Sequence, residues 1–138
     1  MSVRPDLLNV VRQWAIKAEN DLKNAEHTLT MGEDCPLDTV CFHAQQCAEK
    51  YIKALLCYLS IDFPKSHDLG ELTQLLPPDF SPPLTLLERE RLTDYATVTR
   101  YPGDWEPITR EDADAAVALA RKVREAVQAR LPREALPK

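Results

Sequence analysis

Arg100, Tyr101 and Trp105 fall in the stretch Thr99-Arg100-Tyr101-Pro102-Gly103-Asp104-Trp105-Glu106-Pro107, where two prolines and a glycine exclude regular helix. A guanidinium stays charged at any working pH and holds a phosphate through two parallel hydrogen bonds, while Tyr101 and Trp105 offer flat faces to a base. The same groups would equally serve to cover the open end of a helical bundle, with Arg100 capping carbonyls. Three further places carry groups capable of chemistry. Glu49 and Lys53, four apart in the favourable order, are either a solvated helical ion pair or part of a stripe facing a ligand or a partner. His67 beside Asp68 is either an oriented general base or a histidine bonding locally at a helix start. Arg91 interrupts an apolar face and either snorkels or pairs with an acid such as Glu49.

The elements that must position these groups read as helices. From Leu7 to Leu29, apolar residues Leu7, Val11, Trp14, Ala18, Leu22, Ala25 and Leu29 recur at spacings of four and three, and Met31-Gly32 ends the run. A short turn leads into a central helix from Pro36 or Leu37 to about Leu59. At 100° per residue it places Val40, Cys41, Ala44, Cys47, Ala48, Tyr51, Ile52, Leu55 and Leu59 on one broad arc. A narrow polar stripe of Thr39, His43, Gln46, Glu49, Lys50 and Lys53 lies opposite, with Phe42 inside it. So wide an apolar arc predicts a helix wrapped by its neighbours.

Asp62-Phe63-Pro64-Lys65 breaks the central helix, and Ser66 is expected to cap a short one carrying Leu69, Leu72, Leu75 and Leu76. The next helix, over about 83–99, places Leu84, Leu87, Tyr95 and Val98 on one face. Thr109 with Asp112 opens the last helix as a capping box, with a staple from Ile108 to Ala113. Its apolar face is Ala113, Ala116, Val117, Ala120, Val123 and Val127. The fold class is all-α, an antiparallel four-helix bundle with one additional short helix, formed by residues 1–131 as one domain. Residues 132–138, with prolines at 132 and 137, read as a frayed tail.

Composition narrows the function. Three glycines in 138 residues argue against a β-rich chain with many tight turns, and 44% apolar content is enough for one core. A net charge of -5 argues against duplex DNA or an anionic membrane as a partner bound by bulk electrostatics. No apolar leader and no spanning run of apolar residues is found, so the expected location is the cytoplasm. Cys35, Cys41, Cys47 and Cys57 form no C-x-x-C pair and read as small buried residues, so neither a metal site nor a cofactor is expected.

Taken in order, the motifs resemble a HEPN domain of the subgroup associated with minimal nucleotidyltransferases. They are Trp14, Ala18 and Asp21-Leu22, then Gln45-Gln46-x-Ala48-Glu49-Lys50-x-x-Lys53-Ala54-Leu55, then His67-Asp68-Leu69, Arg100-Tyr101-Pro102, and Asp112-Ala113 before an alanine-rich helix. The resemblance covers about Leu8 to Leu131. It implies a helical bundle, a homodimer, a nucleotide or RNA ligand, and a minimal nucleotidyltransferase as partner. Many HEPN proteins are metal-independent ribonucleases with an Arg followed after four to six residues by a His. Here Arg100 is present and no histidine follows His67, so acid-base chemistry at that loop lacks its imidazole.

Three functions therefore compete. The first is a non-catalytic nucleotide- or RNA-binding module paired with a nucleotidyltransferase, as in a toxin and antitoxin system. The second is a ribonuclease whose missing His is replaced by His67. The third is a ligand-free dimerising scaffold. The residues expected at a ligand are Arg100, Tyr101, Trp105, Arg91, His67, Glu49 and Lys53. Phe42, Tyr58 and Phe63 exceed what one buried face per helix accounts for, which supports the homodimer.

Overall fold

In the computed structural model, which describes residues 5–80, 83–96 and 107–137, the chain forms helices α1 (Pro5–Leu29), α2 (Leu37–Tyr58), α3 (Leu69–Gln74), α4 (Leu86–Asp94) and α5 (Arg110–Gln128). Among the described residues there is no strand, and no helix is long and apolar enough to cross a membrane. α2 is the axis: thirteen of its 22 residues are buried, and α1, α3, α4 and α5 all pack on it. The wide arc expected from the sequence is buried from Val40 to Leu55, whereas Leu59 lies beyond the helix and is exposed.

Chain directions follow from named contacts. Trp14 lies by Lys53, and Asp21 lies by Lys50 and His43, so α1 and α2 are antiparallel. Glu19 meets Arg124 and Glu26 meets Arg121, so α5 is antiparallel to α1 and runs in the same direction as α2. The α3 and α4 pair fills the remaining position, docked by the Leu69 amide donating to Thr93 Oγ1 at 3.0 Å. The core is Ala-rich where α1 and α5 approach α2, through Ala15, Ala18, Ala25, Ala113, Ala116 and Ala120. Small side chains permit that closeness; Leu92 and Leu72 fill the wider side.

Helix ends explain most departures from the expected boundaries. α2 stops before the Asp62–Pro64 break in a Schellman turn: Ile61 N–H donates to Leu56 C=O at 2.9 Å and Ser60 N–H to Cys57 C=O at 3.0 Å. Ser60 takes the left-handed position, φ 58, where glycine is the usual occupant. α3 is capped by Asp68, not Ser66; the Asp68 carboxylate accepts from Glu71 N–H at 3.2 Å, and Ser66 Oγ accepts from Asp68 N–H at 3.0 Å. α4 is shorter than the expected span because Thr85 and Glu88 make a reciprocal capping box that fixes its start. This leaves Leu84 buried ahead of the helix, turns Leu87 outward at 59% exposure, and leaves Arg91 exposed instead of inside an apolar face. Val98 lies outside the described residues. α5 opens as expected on Thr109 and Asp112, and all six expected apolar positions are buried.

Residues 132–137 do not fray. Leu131 and Ala135 are buried, Arg133–Ala135 forms a 3-10 turn, and Arg12 on α1 donates to the Glu134 carbonyl through Nε at 2.7 Å and through Nη2. Prolines in this segment stop the helix without detaching the chain.

Ser60→Gly is expected to stabilise the fold by about 1 kcal/mol, since a non-glycine residue in the left-handed region costs roughly that much, and Ser60→Val to destabilise it. Urea denaturation of the three proteins checks the order; a Gly variant no more stable than wild type would contradict it.

Candidate functional site

The polar stripe of α2 turns away from water along its length, from exposed Thr39 through half-buried His43, Gln46 and Lys50 to buried Glu49 and Lys53. Glu49 is buried against the 61–67 segment with its side chain 3% exposed, and it accepts hydrogen bonds from Lys53 Nζ at 2.9 Å, Gln45 Nε2 at 3.0 Å and His67 Nδ1 at 2.8 Å. Residues 45, 49 and 53 succeed one another every fourth position, so one helix supplies acceptor and two donors on one face. Burial pushes the Glu49 carboxyl up, but the bonds from Lys53, Gln45 and His67 and the charge of Lys53 outweigh it, and the net shift is downward. Lys53 Nζ in turn lies 5.6 Å from the Trp14 ring centre and 5.8 Å from that of Phe63, and these two rings meet edge to face.

A second cluster repeats the theme on the α1 side of the same stripe. Asp21 of α1 accepts from Lys50 Nζ at 2.6 Å and is bonded to His43 Nδ1 at 2.7 Å. Each buried carboxylate is thus held by one lysine and one histidine. Neither a solvated pair nor a ligand-facing stripe describes Glu49 and Lys53; a buried network takes the place of both. Arg91 does not pair with Glu49, because it lies across the bundle on α4.

That side carries a cavity of about 250 Å³ between α4 and α5, with Leu92, Ala115, Ala116 and Leu119 as its apolar lining and Tyr95, Arg91 and Lys122 as its polar groups. Its two acids each cap a helix through one oxygen and keep their charge: Glu88 Oε1 accepts from Thr85 N–H at 2.9 Å and Asp112 Oδ2 from Thr109 N–H at 3.0 Å. Those capping bonds, aided by Arg91, hold the Asp112 carboxyl below its ordinary value. Burial, together with neighbouring Cys41 and Asp112, pushes the Tyr95 phenol up to about 12, so it is a hydrogen-bonding hydroxyl at neutral pH. Tyr95 and Asp112 flank in sequence the stretch that carries Arg100, Tyr101 and Trp105, which itself lies outside the described residues.

A wider groove between α1 and α5, about 520 Å³, is bordered by the pairs Glu19 with Arg124 (2.5 Å) and Glu26 with Arg121 (2.5 Å). These two pairs satisfy four of its charged side chains, and Lys23 and Glu125 line it as well. Among the described residues no group of His, Cys, Asp and Glu is arranged to hold a metal; Cys35, Cys41 and Cys47 are buried free thiols, with burial pushing Cys41 up to about 12. Of the residues expected at a ligand, Glu49, Lys53 and His67 come together in the buried network, while Arg91 stands apart on α4. Gln45, Asp21, His43 and Lys50, which the sequence places in the polar stripe or among the motif residues but not at a ligand, complete the two clusters. The recurrence of polar residues at every fourth α2 position was the available signal.

The chain belongs to the HEPN family, whose domain matches residues 11–130. It is similar to TT1696 from Thermus thermophilus, at 30% identity and a TM-score of 0.73 over 88% of this chain and 98% of that one. It is also similar to ST0689, an archaeal HEPN homologue, at 29% identity and a TM-score of 0.64 over 87% of this chain and 96% of that one. No curated protein matches it.

Glu49→Ala leaves Lys53 buried without its carboxylate and should cost about 3–5 kcal/mol, whereas replacing Glu49 and Lys53 together by apolar residues should recover most of that. The acid dependence has a definite sign. Glu49 is more acidic folded than unfolded, so its stabilisation is complete above the ordinary carboxyl value of 4.5 and is lost as pH falls through the lower folded value. Urea midpoints followed from neutral to acid pH should therefore fall less steeply for Glu49→Gln than for wild type; parallel curves would contradict this.

Proposed function

We propose that this HEPN chain is a nucleotide- or RNA-binding module that does not cleave RNA itself and works with a separate minimal nucleotidyltransferase, in a pair of the toxin and antitoxin kind. The observation that supports binding is the α4 and α5 cavity, where an apolar lining and a phenol adjoin two cations, Arg91 and Lys122, while both local carboxylates are tied into caps. A nucleobase fits an apolar slot beside an aromatic ring, and the cations suit its phosphate. At about 250 Å³ the cavity falls below the usual range of about 300–1,000 Å³ for a whole drug-sized ligand, so a single base with its phosphate at the rim matches it better than an oligonucleotide buried whole. Arg100, next along the chain from α4, adds a fork for phosphate but no proton-transfer group, and no histidine follows it.

The module acts as a homodimer in this reading. Leu86 and Leu87 at the start of α4 are 66% and 59% exposed, and Phe42 is half-buried on α2 with its ring 5.4 Å from that of His43. Phe42→Asp is expected to shift the protein toward monomer in light scattering at micromolar concentration; a monomeric wild type would remove the dimer from the proposal.

Titration with mononucleotides and short single-stranded RNAs tests binding. Arg91→Ala and Lys122→Ala should each weaken affinity about two- to fivefold, the range for an exposed charge, and Arg100→Ala about tenfold or more. Unchanged affinity in all three variants would reject the site. Chelator-resistant RNA cleavage that disappears in His67→Ala would replace the non-catalytic reading with a ribonuclease.

A further inference from the structure

We propose that His67, which does not line the cavity between α4 and α5, is a phosphoryl-acceptor site that takes a phosphoryl group on Nε2 from a donor of the phosphoramidate class. Three histidines in this chain separate the requirements for such a site. His27, in the last turn of α1, is exposed and has no ion pair among the described residues. His43 has its Nδ1 2.7 Å from Asp21 Oδ1, but its side chain is only 23% exposed. His67 alone combines both properties: Nδ1 lies 2.8 Å from Glu49 Oε1, and the side chain is 66% exposed.

The ring's tautomer follows from its partner. Glu49 already accepts from the Lys53 ammonium and the Gln45 amide, so it is an ionised carboxylate that only accepts, and Nδ1 must carry the hydrogen. In the neutral ring Nε2 then holds the lone pair. The backbone is pinned as well, since the His67 carbonyl accepts from Gln45 Nε2 at 3.2 Å and the next residue caps α3. A buried anion that holds one ring nitrogen of a largely exposed side chain, leaving the other unpaired in the neutral ring, is the arrangement that activates an imidazole as a nucleophile.

In the transfer, the Nε2 lone pair attacks phosphorus, the bond from phosphorus to the donor's protonated nitrogen breaks, and the amine leaves neutral with the bonding pair. The imidazole becomes a cation that keeps its Nδ1 hydrogen directed at Glu49. No proton crosses to the carboxylate, whose charge stabilises the cation as it forms.

The test treats the intact chain with inorganic phosphoramidate and follows each histidine by mass spectrometry and ³¹P NMR. His67 should be phosphorylated about ten- to a hundredfold faster than His27, the rate equivalent of one charge-assisted hydrogen bond made stronger in the transition state. The product at His67 should be the Nε2 isomer alone, His43 should react slowest, and Glu49→Gln should bring His67 down to the rate of His27. Equal rates at His67 and His27 in wild type, or an Nδ1 product at His67, would overturn the proposal. The comparison among wild-type histidines holds even if Glu49→Gln fails to fold, and none of these outcomes bears on nucleotide binding between α4 and α5.

Discussion

A carboxylate removed from water is the constraint around which this bundle is arranged. Taking an ion out of solvent costs several kcal/mol, and Glu49 offsets that only because a cation, an amide and an imidazole all reach it. Each donor fixes something else. Lys53 lies over the paired rings of Trp14 and Phe63, which ties α1 to α2 and seats the segment after α2. His67 must approach α2, which places the start of α3. A single buried charge thereby specifies the position of three elements, a role that an apolar residue of similar volume could not fill with the same directionality.

This arrangement divides the molecule chemically. Along α1 and α2 the polar groups are mutually satisfied, first around Glu49 and then around Asp21, and they serve the fold. Across the bundle, between α4 and α5, Glu88 and Asp112 are oriented by helix caps while Arg91 and Lys122 stand beside an apolar lining. Two acids and two cations there balance in charge, so what sets this side apart is an apolar slot with cations at its rim and not a net positive field.

The bundle itself was legible in the sequence because periodicity records burial directly. The arcs of α1, α2 and α5 emerge where the spacing put them, and the Thr109 cap is where its side chains predicted. Polar side chains were harder, because a Glu and Lys four apart look the same on a solvated face as in a buried network; only the neighbours decide, and Trp14 and Phe63 come from distant parts of the chain. The start of α4 was written in the sequence as Thr85-x-x-Glu88, the same kind of signal as at Thr109, yet the prolines before it drew the boundary outward. Ser60 in a left-handed cap could not be anticipated, since residue type there argues against the conformation.

The bond from Arg12 to the Glu134 carbonyl joins positions 122 residues apart, and Ala135 is buried beside it. During synthesis α1 meets α2 early, yet its outer flank waits until the segment around Glu134 has left the ribosome. A nascent chain stalled after α5 but before that point would leave the flank of α1 around Arg12 without its partner. The last flank of the first helix is thus closed by a few residues of irregular chain made long after it.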